Sequence, residues 1–361
     1  MRKNCKTLLL FAGAVLLVAG CGKQNWMEGT YSRRAGDPVV FGVGTRDMET
    51  RTVYGDVNTV SGKKIQDINW VSGDRIRVYS PDCIRASWND SHQWADYVVN
   101  PVTGTLNRGT LSNVQANGLS WGDAGDHTFY AIYPSPGTSE AENPAGAGGA
   151  FTYSIPASQE VSAQMQYAYM LAAASASNNK VSGDAVELDF TPAFTAFEFQ
   201  LRSADPDVQL LSIEIESASM ALVGDATAQY DAGTDKYAYA GPARTDSNKS
   251  VSVTAATGTV LATDSDYVLT VFGLPLDLTG LTLRLTVKYP DADSPETKSL
   301  ALKYSDTAAT HPGEYVTFGA CKKHIIKGVH LEKGWVLIYA NGEDVLWDVE
   351  GWGENLIWET L

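Results

Sequence analysis

Apolar residues recur at every second position in short runs along most of this chain, and Gly, Asp, Asn and Pro separate the runs. That is the period of a β-strand, whose successive side chains point to opposite faces. In Asp74-Arg75-Ile76-Arg77-Val78-Tyr79 the pattern puts Ile76, Val78 and Ser80 on one face and Arg75, Arg77 and Tyr79 on the other. Burying the first face is expected to leave both arginines in water. Runs of the same kind cover Pro38–Val43, Thr128–Tyr133, Val186–Phe190, Ala196–Leu201, Leu211–Glu216 and Thr282–Val287. They predict half-buried antiparallel strands and an all-β fold of sandwiches. Ala168–Ala176 is the one stretch with helical character, and it is too short and too small-residued for an α/β domain. No repeat of 20 to 50 residues marks a solenoid or propeller.

The N-terminus follows a different rule. Arg2, Lys3 and Lys6 precede an apolar stretch from Leu8 to Val18, shorter than the roughly 20 residues of a spanning helix. The stretch closes on Val18-Ala19-Gly20-Cys21, the pattern of a bacterial lipoprotein signal. Cleavage before Cys21 and palmitate-type diacylation of its thiol are expected, leaving a membrane-tethered, exported chain. Residues 22–36 lack an apolar period and read as a polar tether. About 340 residues then remain, more than one core usually holds, and the polar link at 175–183 is a candidate boundary. The expected organisation is a signal at 1–20, a tether at 21–36, one β-sandwich at 37–183 and a second at 184–361. Gly137–Gly149, rich in Gly, Ala, Ser and Pro, is expected to be a loop.

Charge narrows the function. The signal carries three basic residues and no acid, so the remainder has 24 Lys and Arg against 42 Asp and Glu, a net charge of −18. Such a field repels phosphates and argues against nucleic-acid partners, so membrane attachment rests on lipid. With Cys5 in the signal and Cys21 acylated, only Cys83 and Cys321 remain. One bridge is arithmetically open, but two separate buried thiols are favoured.

No cofactor or metal is implied. The histidines at 92, 127, 311, 324 and 330 lack metal-protease spacing, and the cysteines lack zinc spacing. Gly118-Leu119-Ser120-Trp121-Gly122 matches a nucleophile elbow in letters, but no apolar strand precedes Ser120 and a turn follows it. Carboxylates such as Asp123, Asp126, Glu214 and Glu216 fit solvated strand faces better than a glycosidase pair. Asp264-Ser265-Asp266 and Asp291-Ala292-Asp293 are candidate calcium turns without EF-hand spacing. Trp335, Trp347, Trp352 and Trp358 crowd the C-terminal tail, where exposed rings would stack on sugars or dock a partner chain.

Several segments in order resemble the fimbrillin family of Bacteroidales pilus subunits and related lipoproteins. They are Thr50-Arg51-Thr52, Ile68–Tyr79 with its Trp70 and Gly73-Asp74, Gly125–Pro134, Ile155–Gln159, Tyr167–Met170 and Phe190–Phe199. The resemblance implies two transthyretin-like antiparallel β-sandwich domains and a non-enzymatic role in adhesion or fimbria. It also implies that an arginine-specific protease removes the first strand and that a neighbouring subunit's strand fills the groove. In this chain that makes Val39–Thr45 the removable strand, Arg46 or Arg51 the cleavage position with Arg33 and Arg34 as alternatives, and Trp335–Leu361 the donor. The implied partners are other fimbrial subunits, the outer membrane through lipid, and a host glycan or protein. The alternatives are a surface glycan-binding lipoprotein using exposed tryptophans and a secreted two-carboxylate hydrolase.

Overall fold

The computed structural model describes residues 36–45, 53–60, 63–84, 93–114, 118–123, 125–136, 145–146, 149–161, 167–178, 184–303, 313–332, 335–339, 343–345 and 357–358. Every regular element among them is a β-strand, as the alternating pattern predicts. In chain order these are β1 (Phe41–Thr45), β2 (Val53–Val60), β3 (Lys63–Asn69), β4 (Arg75–Tyr79), β5 (Trp94–Val102), β6 (Thr105–Asn113), β7 (Asp126–Tyr133) and β8 (Ala145–Gly146). There follow β9 (Ala150–Ile155), β10 (Ser158–Glu160), β11 (Met170–Ser177), β12 (Val186–Pro192), β13 (Thr195–Ser203), β14 (Gln209–Ser217), β15 (Gly224–Asp231) and β16 (Lys236–Ala240). The last are β17 (Ser250–Thr254), β18 (Tyr267–Gly273), β19 (Leu281–Lys288), β20 (Glu296–Ala301), β21 (Lys323–Glu332), β22 (Trp335–Tyr339), β23 (Glu343–Val345) and β24 (Ile357–Trp358).

The first sheet closes on itself as a barrel in the order β1-β12-β11-β7-β4-β5-β6. Two further sheets, β10-β17-β14-β19-β20 and β18-β13-β21-β22-β24, build the second half, and β23 pairs β21. A smaller sheet, β16-β15-β9-β8, and the β2-β3 hairpin complete the described architecture. Most ladders are antiparallel; β1/β12, β10/β17 and β13/β21 are parallel. Strands from either side of residue 183 share sheets, since β12 lies in the barrel while β9 and β10 pair with β15 and β17.

Alternation along the strands sorts side chains between two cores. Inside the barrel lie Phe41, Val43, Ile76, Val78, Ala95, Tyr97, Phe129 and Leu188. Between the sheets of the second half lie Phe197, Phe199, Ile213, Ile215, Val271, Leu283 and Leu285, the interdigitated inner faces of a sandwich. This second core continues onto the outer barrel wall through Tyr79, Trp94, Tyr130 and Ile132. The expectation of wet arginines on β4 is therefore corrected for Arg77, which is 1% exposed. Its guanidinium lies against Trp94 and Asp96 of β5, and on the neighbouring β7 Tyr230 of the small sheet meets the Tyr130 ring at 5.7 Å. Arg75, at the strand's start, is exposed. The stretch with helical character is β11, which pairs with β7 over eight residues. Its alanines form no apolar helical stripe, and strand pairing overrides their local propensity.

Candidate functional site: the strand that closes the barrel

The barrel closes through β1. Its residues pair in parallel with β12 from Phe41↔Val186 to Thr45↔Phe190. On its other side Gly42 and Val43 face Thr110 and Gly109 of β6, antiparallel. Without β1, the strands β6 and β12 become two facing edges with unsatisfied backbone groups. The chain leading into β1 is held by four backbone bonds: Gly36 N–H donates to Trp121 O at 2.8 Å, Val39 N–H to Leu119 O at 2.9 Å, Trp121 N–H to Asp37 O at 2.9 Å, and Val186 N–H to Val40 O at 2.8 Å.

The sequence Phe41-Gly42-Val43-Gly44 gives this strand one apolar face and one bare face. Phe41 and Val43 are 1% and 0% exposed. The Phe41 ring meets Tyr97 and Phe129 edge-on, with centroids at 5.2 and 5.3 Å. Val43 fits beside Gly109, where a Cβ would lie 3.1 Å from Val43 Cγ2 and 3.0 Å from Val99 Cγ1. On the outward face a Cβ at Gly42 would lie 2.5 Å from Glu187 Oε1, and one at Gly44 would lie 2.8 Å from Arg108 Nη1 and 3.2 Å from Asp189 Oδ1. The glycines thus let side chains of β6 and β12 fold down over β1. Arg108 Nη1 and Glu187 Oε2 approach to 3.8 Å there, both about half exposed, a weak pair in water.

Two buried ion pairs brace the surroundings. Arg77 Nε and Nη2 donate to Asp96 Oδ1 and Oδ2 at 2.7 and 2.9 Å, and Ser135 Oγ donates to Oδ1 at 2.8 Å. The Arg77 guanidinium also lies 3.8 Å from the Trp94 ring centre. In the second half Lys323 of β21, 2% exposed, meets Glu198 of β13 at 2.5 Å. Burial lowers the Lys323 pKa, and Glu198 opposes that shift. Gln159 closes a gap between sheets: its Nε2 donates to Phe272 O at 2.8 Å and its Oε1 accepts from Phe272 N–H at 3.0 Å.

Cys21, Arg33, Arg34, Arg46 and Arg51 lie outside the described residues. Trp335 and Trp358 belong to β22 and β24, paired onto β21 and onto each other's strand, while Trp347 and Trp352 lie outside. The tryptophans with described side chains, Trp70, Trp94 and Trp121, are at most 2% exposed. Ser120 is 6% exposed and bridges Pro38 and Ile84, so no helix follows it as a nucleophile elbow requires. His324 packs on Phe197 and Phe318, and its Nε2 lies 3.1 Å from Gly319 O. Farther along β21, His330 pairs with Arg202 of β13. Asp266 is engaged by Arg202, and no cluster of three metal-ligating side chains occurs among the described residues. Cys83 and Cys321 are free thiols, each pushed up to about 12 by burial.

Residues 50–327 match the family model described as Fimbrillin-like. A crystal structure from Bacteroides ovatus, with a provisional cell-adhesion assignment, matches with TM-score 0.50 and 13% identity over 91% of this chain and 100% of that one. A similarly assigned structure from Bacteroides uniformis matches with TM-score 0.46 and 16% identity, over 85% and 98% of the two chains. The tip fimbrial protein Mfa3 from Porphyromonas gingivalis, with C-terminal truncation, matches with TM-score 0.37 and 9% identity, over 81% and 93%. At the first match's identity the likeness is one of fold. No curated protein matches the chain.

Proposed function

The chain belongs to the fimbrillin-like family, and on that premise we propose that it is a non-enzymatic fimbrial or adhesion component assembled by strand exchange at β1. The observation that carries this reading is the closure of the barrel by one short N-terminal strand, held in parallel by β12 and antiparallel by β6. A cut after Arg46 or Arg51 severs β1 from everything that follows. As β1 is displaced, the slot between β6 and β12 offers an incoming strand both backbone partners and the apolar floor of Tyr97, Val99 and Phe129. In the same proposal Cys21 carries the lipid that holds the precursor at the outer membrane, and the assembled form stands on a fimbrium at the cell surface. The barrel domain receives a strand, and the second domain donates one from its C-terminal stretch.

The test is intact-mass measurement and N-terminal sequencing of protein from native cells, with the polymer state read on an unboiled gel. New termini at Asp47 or Thr52 together with a heat-sensitive ladder are expected. A diacylated Cys21 terminus on a monomer overturns the assembly reading and leaves an anchored lipoprotein.

A further inference from the structure

The segment Leu119–Gly122 ties the arm at residues 36–39 to the barrel through Leu119 O, Trp121 N–H and Trp121 O. The segment is held in turn at three places. Leu119 N–H donates to Tyr97 Oη at 2.8 Å, and Ser120 exchanges two backbone bonds with Ile84 at 3.0 and 2.8 Å. At its end the partner is a side chain of β7: Gly122 N–H donates to His127 Nε2 at 2.9 Å. A ring nitrogen that accepts a hydrogen bond carries no proton, so His127 is neutral with its proton on Nδ1. The ring is fully buried, edge-on to Trp121 at 4.8 Å and stacked at 6.3 Å from Phe129. A Cβ on Gly122 would lie 2.1 Å from Asp82 O, so this peptide is wedged between the ring and the turn after β4. His324 is the contrast, since its Nε2 faces Gly319 O at 3.1 Å and a proton there costs no bond.

We propose that His127 is an acid-sensitive latch on the arm that enters β1: with a proton on Nε2 it stops accepting from Gly122, and the Leu119–Gly122 segment loosens its hold on residues 36–39. Two donors then face each other across a buried contact, and the Gly122 N–H is left without its acceptor. The groups around the ring do not take over the titration between pH 5 and 7.5. Ala176, its ladder partner on β11, is uncharged. Cys83, in the same core, is pushed up to about 12 by burial and stays a thiol, and the Tyr97 phenol ordinarily titrates near pH 10. Among the carboxylates nearby, Asp82 accepts from Thr128 N–H at 3.0 Å, Asp37 is half-buried on the arm, and Asp123 and Asp126 are exposed; carboxyls ordinarily titrate near pH 4. The latch acts on the arm whether or not β1 ever leaves the barrel.

The experiment uses the full mature chain, uncut between β1 and β2, from pH 7.5 to 5.0. Histidine ¹⁵N NMR reads the His127 ring, and amide hydrogen exchange, corrected for the intrinsic rate at each pH, reads Gly36, Val39, Trp121 and Gly122. The expected ring is the Nδ1–H tautomer at pH 7.5. Protection of the four amides is expected to fall at least about tenfold as Nε2 takes a proton, while the Phe272 amide, held by Gln159, keeps its protection. His127→Gln offers an amide oxygen that does not titrate, and in it the four amides are expected to show no pH step. An Nε2–H tautomer at pH 7.5, or a ring that titrates while the amides keep their protection, overturns the latch. The same step in His127→Gln assigns the effect to a carboxylate and overturns it too. Should that variant fail to fold, the wild-type chain decides: coincident midpoints for ring and amides support the latch, and separate midpoints refute it.

Discussion

Breaking the Arg77–Asp96 pair one side at a time tests whether the outer wall of the barrel is truly dry. Arg77 is 1% exposed and Asp96 4%, and the guanidinium makes two bonds to the carboxylate while stacking on Trp94. Arg77→Met keeps most of the volume and a thioether for the Trp94 ring, but leaves the Asp96 carboxylate with Ser135. Asp96→Leu leaves the guanidinium buried without its counter-charge. Either change should cost about 3 to 5 kcal/mol, because an uncompensated charge stays out of water. That is a large share of the 5 to 15 kcal/mol typical of a domain. The double variant removes both charges and should cost no more than about 1 to 2 kcal/mol, giving a coupling energy above about 4 kcal/mol. Urea denaturation followed by tryptophan fluorescence measures all four proteins. Single-variant losses below about 1 kcal/mol would mean a hydrated pair and refute the burial of this face of β4. Additive losses would assign the effect to packing instead of charge.

Gly149→Ala should destabilise by about 2 to 4 kcal/mol, since φ is +77° and the new Cβ would sit 2.3 Å from the Tyr130 ring. Gly104→Ala, at φ +85° with open space around it, should cost only the backbone share of about 1 to 2 kcal/mol. Urea midpoints separate the two. Burial raises the pKa of Tyr153 and Tyr237, whose hydroxyls donate to Ala193 O and Ala172 O at 2.7 and 3.0 Å. The unfolded phenols lose protons first, so stability is full below about pH 10 and falls above it by about 1.4 kcal/mol per pH unit for each ring. Tyr153→Phe should flatten the decline measured from pH 10 to 12, and an unchanged slope refutes the assignment. Gln159→Leu should cost about 2 to 5 kcal/mol by leaving Phe272 N–H and C=O unsatisfied. Hydrogen exchange at the Phe272 amide should quicken.

The strands were legible because one face of each is apolar, and a period of two survives any choice of partner. Their partners were not. β1 and β12 are adjacent in the sheet but separated by most of the barrel's sequence, and their parallel pairing has no turn to announce it. Arg77 looked solvated because alternating Arg and Ile is what a half-exposed strand shows. It is buried against Trp94 and Asp96 of the neighbouring strand β5, and only tertiary packing reveals a second buried face. The Ala168–Ala176 stretch shows the limit of propensity over nine residues, since β7 decides its conformation. One site signal was present in the letters: glycines alternating with Phe41 and Val43 inside a strand mark a close approach, here by Arg108, Glu187 and Asp189. Gln159 had none, because a side-chain amide bridging to Phe272 needs a partner 113 residues away.

The burial of β1 also constrains how it can leave. Taking Val39, Phe41 and Val43 out of the core exposes three side chains that are nearly or fully buried, worth about 1.5 to 3 kcal/mol each, or about 5 to 9 kcal/mol together. The β12 and β6 edges would be bared at the same time. That sum rivals the whole stability of an ordinary domain, so a vacant barrel is not a state the chain can rest in. A proteolytic cut within 46–52 therefore changes the connectivity of β1 without emptying its slot. The severed strand should stay bound until another strand of matching parity competes for the same edges. In the proposed assembly, cleavage would make the exchange possible and the incoming strand would drive it. On the proposed reading, a new terminus at Asp47 or Thr52 and the physical loss of β1 would be separate events, and only the second should follow the concentration of available donor strands.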